Sequence, residues 1–265
     1  MKTFNLIFLG LFLFGLSAQA QKIYIRGGLG VAASTAADYV TNGSVNSSGS
    51  SISTSKKQGI GTGLPFVLAA GYNINKNFGF ELGVDYFYGF FNKQSWSGNS
   101  YSYGSKSRGQ MLSIVPAFVM SLPFAKFKPY ARIGLKLGVW NSMVIKPHDE
   151  YQINNVVEAT IKDYGGLAVG VQTAIGTDFI LSKHMSLFGE IQVDGISWAP
   201  THGKYTEYIE NGVDKLASRT VNQNEWNFVK EVDNTNLPDD QPRQVNKVNQ
   251  PFGNVGLVFG VKVNL

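Results

Sequence analysis

The chain has 265 residues; 15% are charged against a usual ~25%, 30 are glycine, 13% are aromatic and none is cysteine. A disulfide framework and a thiolate metal site are therefore excluded, and the net charge of +5, spread along the chain, does not mark a nucleic-acid partner. Beyond residue 20 no stretch supplies the ~18 uninterrupted apolar residues that a transmembrane helix requires.

Residues 1–20 read as a signal peptide: Lys2 gives a short basic start, Leu6 to Leu16 an apolar run too short to span a bilayer, and Ala18-Gln19-Ala20 a small-x-small cleavage site. The expected mature domain is 21–265. Within it the apolar residues recur with period 2, the strand signal. Strands are predicted near 22–33, 59–74, 78–91, 109–121, 129–143, 164–181, 186–198 and 251–264, each at least the ~9–11 residues that a tilted strand needs to cross hydrocarbon. Three connections are tight: Asn75-Lys76-Asn77, Pro123 to Lys128, and Ser182-Lys183-His184. Four are long and polar: 34–58, 92–108, 144–163 and 199–250. Short and long alternate strictly. Asn211-Gly212 in the last long connection is a type I′ hairpin signal, but the flanking Glu207, Glu210, Asp214 and Lys215 leave no apolar face. The hairpin is therefore read as the ends of strands seven and eight projecting into water, and not as a ninth and tenth strand.

The pleat then sorts the charges. Arg26 shares a face with Tyr24 and Gly28; Glu81 and Asp85 with Gly79 and Gly83; Arg132 and Lys136 with Gly134 and Gly138; Glu190 and Asp194 with Gln192. Each set lies opposite an Ile/Leu/Val/Phe face. A cation on the lipid face would cost roughly 2–4 kcal/mol at mid-membrane, so the apolar face is the lipid face. The seven charges face inward, where they are expected to pair. Trp140 and Trp198 are predicted at one membrane interface, and Tyr72, Phe78, Phe80, Phe127, Tyr130 and Phe179 at the other, with Tyr86, Tyr88 and Phe90 along the outer half of strand three.

The expected fold is all-β: an eight-stranded antiparallel up-and-down transmembrane β-barrel with short periplasmic turns and long extracellular loops. Closure is demanded because an open sheet edge in lipid leaves backbone groups unsatisfied. The whole pattern resembles the small OmpA/OmpX-type outer-membrane barrels, and its Asn-rich loops are similar to those of Bacteroidetes-type outer membrane β-barrel domains. The ending "GVKVNL" resembles the terminal signal read by barrel-assembly machinery, with Leu265 where an aromatic residue is usual. The resemblance implies location in the outer membrane of a Gram-negative bacterium, reached by cleavage of the signal peptide. It implies outer-membrane lipid, lipopolysaccharide and the assembly machinery as partners.

An eight-stranded barrel has an interior only wide enough for side chains, so the inward charges read as a plug, with a narrow porin-like pore as the alternative. "GGLGVAAS" mimics a dinucleotide fingerprint, but a polar loop and not a helix follows it, so no cofactor is assigned. No catalytic or metal-binding residue is assigned either. The chain is read as non-enzymatic, with an enzyme acting on lipid A as the alternative, in which His148-Asp149-Glu150 and His202 would meet outside the membrane. Tyr205, Tyr208, Trp226 and Phe228 are candidate contacts to an extracellular protein or surface ligand, and equally candidates to pack on one another.

Overall fold

The structure, a computed structural model, describes residues 22–35, 38–45, 51–98, 101–151 and 155–265; the predicted signal peptide, residues 1–20, lies outside them. The alternating segments form β1 (Ile23–Ser34), β2 (Gly63–Asn73), β3 (Phe78–Gly89), β4 (Tyr101–Ser121), β5 (Phe127–Tyr151), β6 (Ala168–Ile180), β7 (Met185–Trp198) and β8 (Asn254–Asn264). Each pairs antiparallel with its sequence neighbours. β1 also pairs with β8, from Tyr24 opposite Asn264 to Ser34 opposite Asn254. Among the described residues these eight strands close a barrel.

The side-chain alternation follows from the pleat. Leu29, Leu82, Ile175 and Phe259 stand outward, Ile175 being 73% exposed, in a band of apolar side chains that only lipid would cover. Their neighbours in sequence point inward and are small or polar. The short turns are held by side-chain acceptors: Asn75 Oδ1 accepts from the Asn77 and Phe78 amides at 2.8 and 2.9 Å. Ser182 Oγ accepts from His184 and Met185.

At the other rim the structure departs from the expected loops. β4 and β5 run on to Tyr101 and Tyr151, well past the predicted strand ends, and pair along their length. Hydropathy ends a strand where lipid ends, but backbone pairing continues in water. A β-bulge marks the change: Leu112 pairs with Trp140 and Ser113 with Gly138, leaving Val139 unopposed. Val139 and Trp140 both face outward. The inside–outside parity of β5 is thereby reversed beyond the membrane, a usual effect of a bulge.

Asn92–Ser97 adds to β4, and Asn155–Tyr164 to β5. The predicted Asn211-Gly212 turn forms with positive φ of 53° and 78°, but its strands do not extend β7 and β8. Its first strand, His202–Glu210, adds to the far side of Asn155–Tyr164. Its second is only Val213–Asp214. The chain turns from this projecting sheet into β6 through Gly165-Gly166, with φ of 77° and 78°. A Cβ on Gly166 would stand 2.4 Å from the Ala199 carbonyl oxygen, so both conformation and space require glycine there.

Candidate functional site

The barrel interior is filled from the short-turn rim upward. Lys262 pairs with Asp178 at 2.8 Å and lies over the Tyr24 ring at 3.9 Å. The Tyr24 hydroxyl donates to Glu81 at 2.8 Å. In the next layer Glu190 accepts from Arg26 Nη1 and Nη2 at 2.9 and 3.2 Å, from Arg132 Nη2 at 2.8 Å, and from the Tyr130 hydroxyl at 2.8 Å. Glu81 approaches the two guanidinium groups at 3.4 and 3.7 Å. Above them Lys136 pairs with Asp194 at 2.6 Å and lies 3.6 Å from Asp85. Gln172 bridges the layers, accepting from Arg132 and donating to Asp85, each at 2.6 Å. A void of about 10 Å³ remains beside Tyr24 and Lys262, room for about one water.

All seven charges singled out from the pleat thus lie in one buried network. The network also takes in Asp178 of β6 and Lys262 of β8, which the seven did not include, together with the neutral Tyr24 on the face of Arg26, Tyr130 and Gln172. Parity would have found Lys262, which alternates with Val261 and Val263 on the inward face, had the last residues not been read only as an assembly signal. Charges need partners here, because an unpaired ion in this interior would be very costly.

Above the charges sits an apolar plug that sequence reading did not anticipate. Phe87, Met111, Met143, Ile196, Trp198 and Phe252 pack together, with Phe87 and Phe252 edge to face at 5.7 Å. Trp198 corrects its predicted place: it is 1% exposed, inside the mouth, and donates from Nε1 to the Gly165 carbonyl at 2.7 Å. Tyr130 is likewise interior and not interfacial. Both have the parity of Glu190 and Arg132, and parity decides over position along the strand. Met143 enters the plug because of the bulge.

On the inner face of the projecting sheet, Tyr205, Tyr208 and Trp226 pack on one another. Tyr205 meets Tyr208 and Trp226 edge to face at 5.5 and 5.4 Å. Arg219 lies 3.9 Å from the Tyr208 ring centre, and Arg243 lies 5.2 Å from that of Trp226. Phe228 is half-buried in Glu225–Val229, the strand that pairs with His202–Lys204. Trp226 fits against Gly203, where a Cβ would stand 2.0 Å from its indole nitrogen.

Asp163 is buried beside this cluster, and burial pushes its carboxyl up to about 6, against a smaller opposing pull from the Trp226 indole. The folded state therefore holds this proton more tightly than the unfolded chain does. The stabilisation is full below the ordinary carboxylate value near 4 and is lost as pH rises through about 6. Hydrogen exchange of segment 216–250 is expected to quicken between pH 4 and 7. The Asp163→Asn variant should show almost no such dependence once intrinsic exchange is subtracted.

The histidines do not converge. His148 contacts Glu158 at 3.0 Å, whereas His202 stacks on Tyr164 at 5.6 Å and meets Thr201 at 2.8 Å. Glu158 and Tyr164 lie six residues apart on one strand, a separation of roughly 20 Å. The acid–base constellation considered from the sequence is not assembled.

The family comparison agrees with the architecture. Among curated proteins no match is found. Solved structures similar to the chain include Neisserial surface protein A, 11% identical over 92% of this chain and 97% of that one with a TM-score of 0.42, and Ail, the attachment invasion locus protein of Yersinia pestis, 7% identical over 91% and 95% with a TM-score of 0.35. Residues 6–228 match the family described as "Outer membrane protein beta-barrel domain". The chain, an outer-membrane barrel protein, belongs to that family.

Proposed function

We propose that this protein is a non-conducting, non-enzymatic barrel that anchors a rigid β-sheet above the outer membrane for contact at the cell surface. One observation carries the reading: the interior is occupied twice over, by ion pairs at the level of the membrane and by an apolar plug at the mouth. Meanwhile β4 and β5 continue outward as a paired sheet widened by Asn155–Tyr164 and His202–Glu210. Polar atoms spent on pairing inside are not available to line a water path, and the binding surface is left to the sheet above.

Mass spectrometry of envelope lipids tests the non-enzymatic part. Cells with and without the gene are expected to give the same lipid A masses. A gain or loss of an acyl or phosphate group that depends on the chain would overturn it.

A further inference from the structure

We propose that the outer wall of the projecting sheet binds the phosphorylated sugars of lipopolysaccharide in the surrounding leaflet. The proposal rests on the outer-membrane reading above and adds a site to it. Lys93 stands directly opposite Lys106, and Lys106 directly opposite Lys146, so three adjacent strands present a row of cations. All three are exposed. Lys106 and Lys146 have no ion-pair partner among the described residues. Like charges directly opposed across strands are destabilising, so the Lys106–Lys146 pair is unfavourable until an anion lies over it. The bulge at Val139 creates the row. By the parity of Arg132 and Lys136, Lys146 would otherwise point into the barrel.

The row lines one side of a groove of about 520 Å³, with Thr160, His148, Glu158 and Glu207 on the other side. That volume suits a small ligand. The two glutamates are already engaged: Glu158 with His148, and Glu207 with the Thr160 hydroxyl at 2.8 Å. The groove thus has a cationic wall for phosphate and an acceptor wall for sugar hydroxyls. A second tier of cations lies nearer the membrane, with Arg108 and Lys162 opposite Val144 on its two sides and Lys204 opposite Lys162. The other acids on this wall are Glu150, at the far tip opposite Ser102, Asp214, opposite Ile209, and Glu225, opposite Lys204.

Height selects the occupant. Lys146 lies six residues beyond Trp140 on a tilted strand, roughly 15 Å further out. The polar layer of an ordinary bilayer is only about 5–8 Å deep on each side. Phospholipid phosphates therefore sit below the row, whereas the sugars of a glycolipid reach it.

The test uses the full mature chain in detergent, titrated with rough-form lipopolysaccharide, with the same glycolipid after dephosphorylation, and with inorganic phosphate alone. Lys106→Gln/Lys146→Gln is expected to weaken binding of the phosphorylated form at least tenfold. Lys230→Gln/Lys247→Gln, with the same charge change on the last long segment, should bind like the wild type. Without glycolipid the first variant is expected to melt at the same or a higher temperature than the wild type, and below it once glycolipid is present. That reversal also shows that the variant has folded. Equal binding by the two variants, equal binding of the dephosphorylated form, or a phosphate effect matching that of the glycolipid would each overturn the site. Insertion of the chain into vesicles is scored separately, so loss of the site leaves the barrel reading standing.

Discussion

Replacing Glu190 by alanine is expected to remove about 4–5 kcal/mol of stability, the upper end of the range for breaking a buried pair. Its carboxylate takes hydrogen bonds from Arg26, Arg132 and Tyr130, and without it both guanidinium groups would keep only Glu81, at 3.4 Å or more, as a counter-charge. Two buried cations against one anion is the costly state, not the loss of one contact. The double variant Arg26→Met/Glu190→Gln leaves Arg132 facing Glu81 one to one. It is expected to recover at least half of the loss, because the single changes share one network and do not add. Urea unfolding of the vesicle-inserted protein, followed by tryptophan fluorescence and heat-shifted gel mobility, measures both. A double variant as unstable as the sum of its single changes would remove the lattice from the account.

Trp198→Ala is the second large effect, a loss of about 3–5 kcal/mol as for other buried aromatic rings. The ring is 1% exposed within the plug, and its indole nitrogen ties β7 to Gly165 at the entrance to β6. Trp140, 45% exposed on the lipid side of the bulge, is the control. Trp140→Ala is expected to cost no more than about 0.5 kcal/mol, in keeping with an exposed site away from the core. If the two substitutions cost the same, Trp198 behaves as the interfacial residue that its strand-end position suggested.

That contrast shows how far the sequence could be read. Within hydrocarbon the rule is strong: a cation facing lipid costs roughly 2–4 kcal/mol, so the period of two alone assigns Arg132 and Lys136 inward and Ile133 and Leu135 outward. The same rule reached Glu81, Asp85, Glu190 and Asp194. Applied as strictly to Tyr130, Trp198 and Lys262, it would have placed those too. Position along the strand, for Tyr130 and Trp198, and the terminal motif, for Lys262, point elsewhere. Outside the membrane the rule has no force. Nothing in "NSMVIKPHDE" penalises a loop over a strand, and one extra residue at Val139 inverts the parity on which any such reading depends. The pairing of Asn155–Tyr164 with His202–Glu210 joins residues about forty to fifty positions apart, and only Asn211-Gly212 is locally legible, through the left-handed conformation that both residues adopt.

Single-channel recording on refolded protein in a planar bilayer tests the sealed barrel most directly. The account predicts a flat baseline at applied voltage, because Arg26, Arg132, Lys136 and Lys262 are each paired inside and Trp198 and Phe252 close the mouth above them. Steady, resolved openings that scale with salt concentration would contradict it.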